Sequence, residues 1–105
     1  MMINKQGEKH KPPSLSVRGI RRSCNRELYR AAKRLKTYIP PEKMAEAEKL
    51  YLDKVLGSLP YIMENGNNHK LLADWWDDNV NADVAALWDV EPARLARAFR
   101  DAFGG

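Results

Sequence analysis

A single cysteine, Cys24, leaves the 105-residue chain without an intramolecular disulfide or a thiolate-built metal site. Histidine is nearly as scarce, since His10 and His69 are the only two and stand far apart in sequence. No run of 18 or more apolar residues occurs, which excludes a membrane-spanning helix as the sequence stands. The opening stretch MMINKQGEKHKPPSLS lacks the apolar core of a secretory signal, so the expected location is the cytoplasm, with no membrane partner. There is no phosphate-cradling glycine loop, no His-Glu-x-x-His and no local nucleophile motif. These absences favour a binding protein over an enzyme, with no cofactor expected. Cys24 itself reads as a small unreactive residue at a helix start, or alternatively as a thiol activated by Arg21, Arg22 and Arg26.

What is present is an uneven charge distribution. The formal net charge is +4, but residues 1–36 alone carry +9 and the remaining 69 residues carry −5. Such a division suits a polyanion-binding arm, and it also suits the docking of one protomer's arm on another's acidic body. Apolar residues make up 44% of the chain and charged residues 30%, which is the balance of a folded domain rather than of a disordered chain. The core of so small a domain is thin, and a partner would add to its stability.

Residues 1–22, with Gly7, Pro12, Pro13 and several lysines, show no periodicity and read as a flexible basic arm ahead of a single helical domain at 23–105. From Ser23, a candidate N-cap, the apolar residues Leu28, Ala31, Ala32, Leu35 and Ile39 recur at helical spacing, and Pro40 ends the run. Pro41 and Glu42 then open a second helix with Met44, Ala47, Tyr51 and Val55 inward, widened by Leu52 and Leu56. Leu59 to Met63 reads as a short helical turn or extended segment, and Asn65-Gly66-Asn67-Asn68 as a loop. Asn68 can cap a helix with Leu72, Trp75, Trp76 and Val80 inward and Asp74, Asp77 and Asp78 outward. Asn81 can cap a short helix from Ala82 to Trp88, followed by a last helix with Leu95, Phe99, Ala102 and Phe103 on one side. With no sustained alternation of period two, the expected fold is all-α, a small irregular bundle of four to five helices.

The segment Ala82-Asp83-Val84-Ala85-Ala86-Leu87-Trp88-Asp89-Val90-Glu91-Pro92-Ala93-Arg94-Leu95-Ala96-Arg97-Ala98-Phe99-Arg100 resembles the helix-turn-helix of bacterial DNA-binding regulators. Small Ala85 fits the close helix crossing of that motif, while Asp89 stands where the motif usually has Gly. The resemblance implies that Arg94, Arg97 and Arg100 face outward on a recognition helix and contact phosphates or guanine edges. An ordinary αα-hairpin with a solvated basic face is the alternative reading.

The candidate nucleic-acid-binding residues are therefore Arg18, Arg21, Arg22, Arg26, Arg30 and Lys33 toward the start of the chain, together with Arg94, Arg97 and Arg100 near its end. DNA is the expected nucleic acid. Trp75 and Trp76 are adjacent and point about 100° apart on a helix, so one of them is expected at the surface as a contact to a protein partner or to a second copy. A helical subunit or adaptor that docks on a larger protein is the rival expectation. The Asp74, Asp77 and Asp78 face could hold a hard cation, but a solvated acidic face is the simpler reading.

Overall fold

The computed structural model of the chain describes residues 16–104. Among them six helices form an all-α bundle without strands: α1 (Val17–Leu35), α2 (Pro41–Gly57), α3 (Leu59–Glu64), α4 (His69–Asn79), α5 (Asn81–Trp88) and α6 (Pro92–Phe103). None of these helices is long and apolar enough to cross a membrane.

Helix α1 begins two turns before the expected Ser23. Ser16 is its N-cap, and the Ser16 hydroxyl accepts a hydrogen bond from the Gly19 amide at 3.0 Å. Residues 17–22, expected in the flexible arm, are therefore helical, while residues 1–15 lie outside the described part. The reason is that Ile20 and Cys24 continue the stripe of Leu28, Ala31 and Leu35 toward the N-terminus, and all five are buried. Cys24 consequently sits within the helix and not at its start. Burial, with Glu27 and Glu48 nearby, pushes its thiol up to about 12, the reverse of activation.

Helix α2 folds back along α1, burying Met44, Ala47, Tyr51 and Val55, whereas Leu56 stays exposed. Helix α6 runs antiparallel to α1: Arg94 near its start reaches the Leu35 carbonyl at the end of α1, and Phe103 near its end lies with Ile20 and Cys24 around one cavity. Helices α4 and α5 close the other side. Asn68 caps α4, accepting from the Leu71 amide at 3.0 Å. The expected cap Asn81 is instead the first residue of α5 and the one buried polar residue among those described. Its side-chain oxygen accepts from the Trp76 indole at 2.9 Å, and its amide donates to the Pro92 carbonyl at 2.8 Å.

Trp76 is the centre of the core. Its ring stacks parallel on Phe99 at 3.9 Å, with the Tyr51 ring edge-on at 4.9 Å. Trp75 is buried as well, so neither indole is offered at the surface as expected. The 100° between them is absorbed because α4 lies between two groups of neighbours: Trp76 turns to α6, and Trp75 turns to the cavity beneath α1. Trp88 is also inside, and its indole donates to the Lys43 carbonyl at 3.2 Å, tying α5 to the start of α2.

Candidate nucleic-acid interface

The outer face of α1 follows from its inner one. With Ile20, Cys24, Leu28, Ala31 and Leu35 facing inward, a turn of 100° per residue places Arg18, Arg22, Arg26, Arg30 and Lys33 within an arc of about 120° on the opposite side. All five are exposed. The row from Arg18 to Lys33 is about 22 Å long at 1.5 Å per residue. Arg21 stands at the edge of this arc and pairs with Glu48 of α2 at 3.1 Å. None of the five enters a salt bridge among the described residues; Arg26 donates only to the neighbouring Ser23 hydroxyl at 3.4 Å.

The single acid of α1 does not dilute this face. Glu27 points to the opposite flank and accepts a hydrogen bond from the Tyr51 hydroxyl at 2.5 Å. Burial raises its pKa above the ordinary carboxylate value, against the lowering effect of the Tyr51 hydrogen bond and of Arg26, His69 and Arg30. The same pairing, with burial foremost, holds the Tyr51 phenol well above its ordinary range.

Tyr29 lies within the basic arc, on the line between Arg18 and Arg22 seen down the helix, and is 57% exposed. Beside it, Tyr38 in the α1–α2 loop is 78% exposed, and both rings border a shallow groove together with Lys33, Ile39 and Met44. Aromatic faces set among cations can stack on bases or pack on sugars, and the spacing of α1 placed Tyr29 there although the sequence reading passed over it.

No family model, curated protein or solved structure matches the chain. What the surface can do rests on its own chemistry.

At the other end, the three arginines of α6 do not form the common reading surface expected of them. Residues 94, 97 and 100 fan over about 120° around a helix wedged between α1 and α4, so the two outer side chains meet neighbours. Arg94 donates to the Leu35 carbonyl and, at 3.4 Å, to the Thr37 hydroxyl. Arg100 is bound by Asp74 and Asp77 of α4, each at 2.6 Å. Hydrogen bonds from Arg100 and Lys70 hold the Asp74 carboxyl below its ordinary range, and Asp74 and Asp77 in turn raise Arg100. The expected acidic face of α4 is thus largely a clamp on α6. Arg97 alone of the three is exposed without a hydrogen-bond partner among the described residues. Because α6 runs antiparallel to α1 with Arg94 level with Leu35, Arg97 comes level with Ala32, one residue before Lys33.

The turn before α6 is tight despite the missing glycine. Asp89 takes the left-handed conformation itself, at φ 59 and ψ 49, with its amide bonded to the Ala86 carbonyl and the Val90 amide to the Ala85 carbonyl.

Proposed function

We propose that the chain binds the phosphate backbone of a nucleic-acid duplex, DNA in the first instance, through the outer face of α1. The observation that supports this reading is the row of Arg18, Arg22, Arg26, Arg30 and Lys33, in no salt bridge among the described residues, with exposed Tyr29 within it. A rigid row of cations about 22 Å long matches the scale of a few successive phosphates and releases their counterions. Arg97 and Lys5, Lys9 and Lys11, of which the lysines lie outside the described residues, add to the same charge. Such contacts position the protein on the duplex and carry little sequence information.

Five phosphate contacts give a slope of about −4.5 for the logarithm of affinity against the logarithm of salt concentration. Anisotropy of a labelled duplex at several salt concentrations measures it, and Arg26→Ala is expected to reduce the slope by about 1. An affinity indifferent to salt, or no binding at low salt, would overturn the reading.

A second reading draws on the groove bordered by Tyr29, Tyr38, Ile39 and Met44. Two exposed tyrosines beside apolar side chains also suit a protein partner or a second copy of the chain. Sedimentation separates the two: a concentration-dependent dimer abolished by Tyr38→Ala favours association, and a strict monomer favours the nucleic-acid reading.

A further inference from the structure

The underside of α1 carries a feature that nucleic-acid binding does not use. A cavity of about 180 Å³ opens between α1 and the short helix α3, walled by Ile20, Val55, Ile62, Trp75 and Phe103. Apolar cavities of about 150 Å³ are large enough to take up benzene, so this one accommodates a ring bearing a short substituent.

Glu27 and Tyr51 also line this cavity. One carboxyl oxygen of Glu27 accepts from Tyr51, and the other has no hydrogen-bond donor among the described residues. Arg26, Arg30 and His69 are near enough to act on its charge, yet none forms a salt bridge with it. Glu27 is half-buried with a single neutral donor from the protein, and its second oxygen is open to a cation or strong donor that enters the cavity. Burial pushes the Cys24 thiol beside it up to about 12, which leaves Glu27 as the acidic group of the cavity.

We infer that this cavity binds a small organic amine, its apolar body lying among Ile20, Val55, Ile62 and Trp75 and its ammonium group donating to Glu27. Glu27 is the only carboxyl group lining the cavity, beside the Ser23 and Tyr51 hydroxyls and the Cys24 thiol, and the other walls are apolar, which selects a compact amphipathic cation over an anion. The inference stands independently of nucleic-acid binding, because it concerns the opposite face of α1.

Benzylamine is the test ligand, with toluene and benzyl alcohol as neutral counterparts of similar shape, titrated into the full chain by calorimetry and by amide and indole chemical shifts. Benzylamine is expected to bind at least tenfold more tightly than either neutral compound, with the largest shifts at the Trp75 indole, Val55 and Ile62. Glu27→Gln keeps an acceptor for Tyr51 and is expected to bring benzylamine down to the toluene level while toluene changes less than twofold. Ile62→Trp, placed on the wall, is expected to abolish uptake of all three. Equal affinity of benzylamine and benzyl alcohol, an unchanged benzylamine affinity in Glu27→Gln, shifts centred elsewhere, or no uptake at millimolar concentration would each overturn the inference.

Discussion

Among the described residues, two other than glycine sit in the left-handed region, Lys36 at φ 57 and Asp89 at φ 59, each just past the end of a helix. The conformation costs an L-residue about 1 to 2 kcal/mol relative to a right-handed one, somewhat less for Asp than for Lys. Their charges act in opposite directions. Lys36 lies at the negative end of the α1 dipole and gains from it, whereas Asp89 at the end of α5 is repelled, each by about 0.3 to 1 kcal/mol. Replacing Asp89 with Gly removes both penalties and is expected to stabilise the fold by about 1 kcal/mol, or about 4–8 °C in Tm. Lys36→Gly relieves strain but gives up a favourable charge, so about half that gain is expected. Thermal unfolding of the two variants checks the ranking, and a larger gain at Lys36 would show that strain outweighs the dipole. At this scale the sequence was legible for caps that obey a local rule, such as Asn68. It was not legible for Asp89, because a residue's tolerance of the left-handed region is decided by the chain on both sides of it.

At the scale of helices, the apolar stripes read from spacing correspond to the buried faces of α2, α4 and α6, because burial on one side of a helix imposes the 3.6-residue period directly. The start of α1 was displaced because Cys24 and Ile20 were not counted into the stripe that they extend, and because Ser23 satisfies the same capping rule as Ser16. The cross-helix polar ties left no trace in any single stretch of sequence. Arg100 with Asp74 and Asp77, Glu27 with Tyr51, and Arg94 with the end of α1 all join residues more than 20 positions apart. Asn81 makes shorter-range ties, to Trp76 and Pro92, that join three helices through one buried amide. Asn81→Ala strands the Trp76 indole N–H in the core, at about 1 to 3 kcal/mol, and removes the donor to the part-buried Pro92 carbonyl. A loss of about 2 to 4 kcal/mol is expected by chemical denaturation. Asn81→Asp keeps the acceptor for Trp76 but buries a charge and loses the donor to Pro92, and it is expected to be worse than Ala. A loss under 0.5 kcal/mol for Asn81→Ala would mean that water replaces the amide.

Among the described residues, the basic outer face of α1 lies over carboxyl groups that other elements engage: Glu27 beneath α1, and Asp74 and Asp77 held by Arg100 of α6. Two of those carboxyl groups are shifted in opposite directions, so they shape opposite sides of the pH dependence of stability. Glu27 is raised by burial, so its contribution is fully present below the ordinary value of 4.5 and is lost as pH rises through its higher value in the folded protein. Asp74 is lowered by Arg100 and Lys70, so its contribution is present above the ordinary 3.8 and is lost as pH falls through its lower folded value. Stability should therefore fall on both sides of a maximum near the ordinary carboxylate range. The alkaline decline belongs to Glu27 and the acid decline includes Asp74. Glu27→Gln is expected to come close to the parent below the ordinary carboxylate value, to exceed it as pH rises through the raised folded value of Glu27, and to keep a constant margin above that. Asp74→Asn should lower stability at pH 7 and flatten the acid side alone. Denaturant midpoints of the three proteins from pH 3 to pH 8 decide the matter. A Glu27→Gln variant less stable than the parent at pH 8 would mean that the ionised carboxylate is well compensated in the folded chain, and that its free oxygen needs no cation.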